Sequence, residues 1–108
     1  MSTRLVPTPT SRPRFGHARA EITPPVGIYH RMWGAARHDR ASGVHRPLYA
    51  DIVAFGARDA AQAAWIQIYL DGVGSATGHD RDLRTAIASA AGLTPGQVII
   101  TYSHTHSG

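Results

Sequence analysis

The chain has 108 residues, which is enough for about one small domain with a modest core. Hydrophobic residues make up 43% of it and charged residues 17%, a balance typical of globular proteins that excludes disorder over most of the length. The absence of cysteine excludes disulfides and thiolate metal sites. The formal net charge of +4 makes nucleic acid a candidate partner.

The positive charge is concentrated in the first part of the chain. Residues 1–46 contain eight of the eleven arginines and two acids, whereas residues 47–108 contain three arginines and five acids. The basic part lacks the interleaved aromatic residues of a groove that follows a nucleic-acid strand. We therefore expect a solvated arginine-rich surface and no nucleic-acid partner, with a basic binding module as the alternative.

The sequence shows neither a membrane-spanning nor a secretory pattern. No apolar stretch approaches the ~18 residues of a membrane span, so no transmembrane segment is expected. The N-terminus has arginines but lacks the apolar region of a secretory signal, so a cytoplasmic location is the default expectation.

The first 70 residues predict three strands and one long loop. Residues 1–14 contain three prolines and no apolar periodicity, which indicates a flexible leader before a segment at 15–108. Strands are predicted at 15–23, 48–57 and 64–70. The connection at 26–47 is long, and Tyr29, Met32 and Trp33 favour an ordered loop there.

A helix and a fourth strand follow. The pattern Thr77-x-x-Asp80 resembles a capping box, and Gly92 suits the end of the helix. The predicted apolar stripe of the helix consists of Leu83, Ala86, Ile87, Ala90 and Ala91. A β-branched strand is predicted at 97–102. The fold class is therefore α/β, with strands and a βαβ unit forming part of a mixed or parallel sheet that is incomplete.

Two parallel strands of the βαβ unit deliver polar residues to one edge of the sheet. Asp71 follows the third strand, and His104 and His106 follow the fourth. Ligands bind outside the carboxyl ends of parallel strands, so these residues are expected to lie on one rim. The two histidines either contribute to a metal site or are surface imidazoles bonded to loop carbonyls. Asp71 is expected to orient a histidine or the loop more than to bind the metal.

Most of the remaining histidines (His17, His30, His38, His45 and His79) are expected to face solvent, and His45 is the one expected to be ordered at a site. The sequence contains no nucleophile elbow, phosphate-binding loop or dinucleotide fingerprint.

Four segments in order carry a family resemblance. They are EITPPVG at 21–27, GVHRPLYA at 43–50, LDG at 70–72 and SHTHSG at 103–108. Together they resemble the N-terminal part of the catalytic domain of the neutral/alkaline (non-lysosomal) ceramidases, over residues 15–108, which is nearly the whole chain.

The resemblance implies a zinc-dependent amidohydrolase that cleaves the N-acyl bond of ceramide to sphingosine and a fatty acid. It assigns His104 as a zinc ligand and His106 as a catalytic residue that contacts the substrate. Gly34 is the best match to a glycine that approaches the substrate. A small-molecule or lipid amide is the expected substrate, and Zn²⁺ is the expected cofactor.

The remaining ligands of such enzymes lie after the H-T-H segment, so the resemblance implies that the chain is truncated at this motif. We therefore expect an N-terminal fragment of a larger catalytic domain that is inactive by itself. A non-catalytic remnant of the fold is the alternative within the same resemblance.

Overall fold

A computed structural model describes residues 3, 5–29 and 36–106 of the chain. Its described elements are four strands and one α-helix: β1 (Arg14–Glu21), β2 (Tyr49–Gly56), β3 (Trp65–Leu70), α1 (Thr77–Ala91) and β4 (Val98–Tyr102), with a short 3₁₀ turn at Pro95–Gln97. Gly34, Met32 and Trp33 lie outside the described residues.

The strands form one open mixed sheet in the order β1-β2-β3-β4. The pairs β1/β2 and β2/β3 are antiparallel, whereas β3 and β4 are parallel, with Leu70 opposite Tyr102. Strand β4 returns beside β3 through α1, as expected for a βαβ unit. The prediction of an α/β fold with a mixed sheet is confirmed.

Helix α1 covers one face of the sheet over β3 and β4. The core there consists of Ile66, Ile68, Ala88 and Val98, all less than 10% exposed. Ile66 and Ile68 are alternate residues of β3, and Val98 begins β4, so one face of each strand is apolar and buried. Strand β1 lies beyond the reach of the helix, and all eight of its residues are exposed.

The predicted apolar stripe of the helix is rotated from the face that packs. Ala88 is buried and Ile87 is partly buried, whereas Leu83 is 36% exposed. Arg84 occupies the inward side because its guanidinium donates to the carbonyl of Val98 and to Asp80 Oδ2 at 3.0 Å. Arg84, which lies outside the predicted apolar stripe, thus hydrogen-bonds the sheet from the inward side of the helix.

The two ends of α1 differ in how well the sequence predicted them. Gly92 ends the helix in the left-handed conformation, with φ 69°, as expected. The capping-box prediction is wrong, because Thr77 is the first helical residue and Ala76 occupies the cap position without a side-chain hydrogen bond. The amide of Asp80 donates to the carbonyl of Ala76 at 2.9 Å, which is the first i→i−4 hydrogen bond of the helix.

The long connection between β1 and β2 is folded back on itself. The amide of Gly27 donates to the carbonyl of Ala41 at 2.8 Å, and the amide of Ala41 donates to the carbonyl of Ile28 at 3.0 Å. Tyr29 and Arg40 form an antiparallel bridge next to these bonds. The described parts of the loop are therefore ordered, as the sequence predicted.

Candidate functional site

The carboxyl ends of β3 and β4 lie side by side, as the βαβ prediction required. The amide of Ser103 donates to the carbonyl of Leu70 at 3.0 Å, which continues the parallel pairing by one step. Asp71 leaves one strand, and His104 and His106 leave the other at the same edge. The expectation that these three residues share one rim is confirmed.

Asp71 ties the exit of β3 to the start of β2. Its amide donates to the carbonyl of Tyr49 at 3.0 Å, and its Oδ2 accepts from the amide of Tyr49 at 2.9 Å. The carboxylate therefore takes up an orphan donor at the edge of the sheet. This places Asp71 in a supporting position between the loop and the strand.

His104 is held by the loop that follows β3. Its Nδ1 lies 2.8 Å from the carbonyl oxygen of Val73. A carbonyl only accepts, so Nδ1 carries the proton, and in the neutral imidazole Nε2 keeps its lone pair. Metal-binding histidines commonly have this arrangement, with one nitrogen donating to a carbonyl and the other facing the metal. A surface imidazole bonded to a loop carbonyl has it too.

The backbone at His104 is unusual. His104 has φ 63°, and it is the one non-glycine residue in the described part of the chain with a positive φ. Holding a non-glycine residue in this backbone conformation costs free energy, and such residues cluster at functional sites. The ring of His106 lies 4.9 Å from that of His104, centroid to centroid, at an interplanar angle of 87°.

A cleft of about 720 Å³ opens beside this rim. Four stretches of the sequence contribute lining residues: residues within 23–28, residues within 36–48 other than Asp39 and Arg40, Asp71, and Thr105 with His106. His104 is not part of the lining, so the two histidines of the H-T-H segment have different surroundings. His106 faces the cleft, whereas His104 is directed to the loop after β3.

Hydrogen bonds between the first two stretches hold the walls of the cleft together. The amide of Ile22 donates to the carbonyl of Leu48 at 2.8 Å, and the amide of Leu48 donates to Thr23 Oγ1 at 2.9 Å. The hydroxyl of Thr23 in turn donates to Glu21 at 2.9 Å. The proline pair that ends β1 is thereby fastened against the segment that enters β2.

The chain matches no protein-family model, no curated protein and no solved structure. The site is therefore interpreted from its own chemistry.

The described residues of the rim offer fewer donor side chains than a catalytic zinc requires. Such a zinc takes about three protein ligands and a water molecule. Within residues 3, 5–29 and 36–106, no group of three or more histidine, aspartate or glutamate side chains is arranged to hold a metal ion. His104 and His106 supply two imidazoles, so these residues by themselves do not fit a complete catalytic zinc site, and no catalytic step follows from them alone.

The structure adds residues that sequence reasoning did not select. His45, expected to be ordered at a site, lines the cleft, but so do His38, Arg37 and Arg46. His38 was expected simply to face solvent. The available signal was the density of arginine and histidine in the 26–47 loop, but only the folding of that loop against the sheet edge shows which of them border the cleft.

No helix among the described residues is long and apolar enough to cross a membrane.

Proposed function

We propose that this chain forms part of the active site of a zinc-dependent amidohydrolase that resembles the neutral ceramidases. In this proposal His104 is a zinc ligand, His106 contacts the substrate, and Asp71 supports the rim from which both project. The substrate is a small-molecule or lipid N-acyl amide.

The observation that carries the proposal is the convergence of the four motif segments on one cleft. Thr23 and Val26 belong to the first segment, His45 to the second, Asp71 to the third and His106 to the fourth, and all of them line the same space. Thr23 and His106 are more than 80 positions apart in the sequence, so it is the fold that brings the segments to one cleft. Such convergence is typical of a binding site.

The hydrogen bond of His104 gives further support. Donation from Nδ1 to the carbonyl of Val73 sets the tautomer in which Nε2 is the lone-pair nitrogen. In this proposal His104, together with ligands from outside the described residues, would hold a zinc ion whose chemistry would be Lewis-acid activation of the amide carbonyl and of water. His106, in the cleft, would hydrogen-bond the oxygen on which negative charge develops.

Two imidazoles are fewer than the ligands of a catalytic zinc, so the proposal requires further ligands from outside the described residues. We therefore expect the 108-residue chain to bind zinc weakly and to hydrolyse no N-acyl amide. The second candidate, a non-catalytic remnant of the fold, is favoured by the same shortage of ligands.

Zinc titration of the purified chain tests the ligand assignment. We expect calorimetry to show one weak zinc site in the wild type that is lost in His104→Ala and weakened in His106→Ala. His79→Ala is the matched control, because His79 is exposed on α1 and outside the cleft. Equal zinc binding by wild type and His104→Ala would refute the assignment, and no zinc binding by any of them would favour the remnant.

Amidase assays with N-acyl amides complete the test. Hydrolysis by the isolated chain that survives chelation would refute zinc dependence. Zinc-dependent hydrolysis would show that the chain needs no further ligands. Tight, salt-sensitive DNA binding without zinc binding would instead favour the basic binding module.

A further inference from the structure

The cleft beside the H-T-H rim combines an apolar wall with cationic side chains. Eight apolar residues contribute to the wall: Pro24, Val26, Ile28, Ala36, Ala41, Val44, Pro47 and Leu48. A space of about 720 Å³ is within the range that encloses a drug-sized or acyl-chain ligand. Burial of an acyl chain against such a wall is favourable because it removes apolar surface from water.

The charged groups of the lining are predominantly positive. Arg37 and Arg46 both line the cleft, and Asp71 is the one carboxylate among the described lining residues. The Oδ2 of Asp71 already accepts from the amide of Tyr49. The two arginines therefore give the lining a net positive charge, since Asp71 is its one described carboxylate and already accepts a hydrogen bond.

Neither arginine is neutralised by the rest of the described structure. Arg19, Arg81 and Arg84 each form an ion pair with an aspartate. Arg37 and Arg46 have no ion pair or side-chain hydrogen bond with any residue that the structure describes. A guanidinium that borders a cleft without a carboxylate partner offers up to five N–H donors to an anionic ligand, and it binds carboxylates in a planar, bidentate way.

We propose that the cleft binds an acyl amide that carries a carboxylate, with the acyl chain on the apolar wall and the carboxylate at Arg37 and Arg46. This inference rests on the proposed function for the amide, and it replaces a neutral sphingolipid with an anionic N-acyl compound as the substrate class. The positive lining also attracts such a ligand from a distance.

Two matched probes separate the carboxylate from the acyl chain. N-dodecanoylglycine carries the anion, and N-dodecanoylethanolamine has the same chain and amide with a neutral hydroxyl in its place. Binding of both to the 108-residue chain is measured by calorimetry below their micellar concentrations, in the presence of a chelator so that zinc plays no part.

We expect wild type to bind N-dodecanoylglycine about tenfold more tightly than the neutral probe, since two exposed ion-pair contacts are each worth about a threefold change. The double variant Arg37→Gln/Arg46→Gln is expected to lose this preference and to bind the neutral probe as wild type does. Arg58→Gln is the control, because Arg58 is exposed in the turn between β2 and β3 and does not line the cleft.

Equal affinity of wild type for the two probes, no binding of either, or an unchanged preference in the double variant would each overturn the inference. Circular dichroism establishes that the variants are folded. Because binding is measured without zinc, failure here leaves the His104 zinc titration unaffected, and failure of that titration leaves this result standing.

Discussion

The Nδ1 atom of His104 lies 2.8 Å from the carbonyl oxygen of Val73, so the residue that follows β4 is fastened to the loop that follows β3. The same histidine has a positive φ of 63°. One residue thus combines a defined tautomer with an unfavourable backbone conformation, and both arise from how two neighbouring strands end.

The positive φ predicts different costs for two substitutions of His104. Both His104→Ala and His104→Gly lose the hydrogen bond to Val73, but only alanine has a Cβ that disfavours the left-handed conformation. We expect the glycine variant to be more stable than the alanine variant by about 1 kcal/mol. Urea denaturation of the two variants measures the difference, and an alanine variant as stable as the glycine variant would show that the backbone at this position relaxes freely.

Asp71 is predicted to stabilise the fold through its acceptor oxygen more than through its charge. Asp71→Ala leaves the amide of Tyr49 without its partner and should lower the free energy of unfolding by about 1–2 kcal/mol. Asp71→Asn keeps an oxygen that accepts the same bond, and it should cost less than half as much. Denaturant titrations of both variants check this, and equal losses would point to the charge instead.

The salt-bridge network on the exposed side of the sheet predicts a dependence of stability on pH. The hydrogen bond from Arg19 and the contact with His17 lower the pKa of Asp51 to about 2. Because the folded pKa is below that of the unfolded chain, the stabilisation is present above about pH 4 and is lost as the pH falls towards about 2.

The variant Asp51→Asn tests this sign. Between about pH 4 and pH 2 its unfolding free energy should fall less steeply than that of wild type. Parallel slopes throughout the acid range would mean that Asp51 has the same pKa in the folded and unfolded chains.

The one-sided covering of the sheet predicts very different costs for the same substitution on two neighbouring strands. Ile68 is 3% exposed under α1, and Ile68→Ala should cost about 2–5 kcal/mol because it leaves a cavity. Ile99 is 44% exposed on the other face, and Ile99→Ala should cost well under half of that. Thermal or urea unfolding compares them, and similar losses would indicate that the second face is covered in solution.

Residue patterns determined much of this protein before any tertiary information. Runs of apolar and β-branched residues predicted β2, β3 and β4 to within one or two positions, and Gly92 marked the end of α1. The strand–helix–strand order predicted the parallel pair and therefore the shared rim of Asp71, His104 and His106. These features depend on local backbone preferences and on a handed crossover, and both can be deduced from a linear pattern.

Tertiary structure decided the rest. Which face of α1 packs depended on the reach of Arg84 to the carbonyl of Val98, a contact between residues on different elements. The positive φ of His104 and its bond to Val73 depended on the relative positions of two strand ends. The lining of the cleft by Arg37 and Arg46 depended on how a long loop folds against the sheet edge. Such contacts are set by packing between segments distant in sequence, for which a linear pattern holds no local signal.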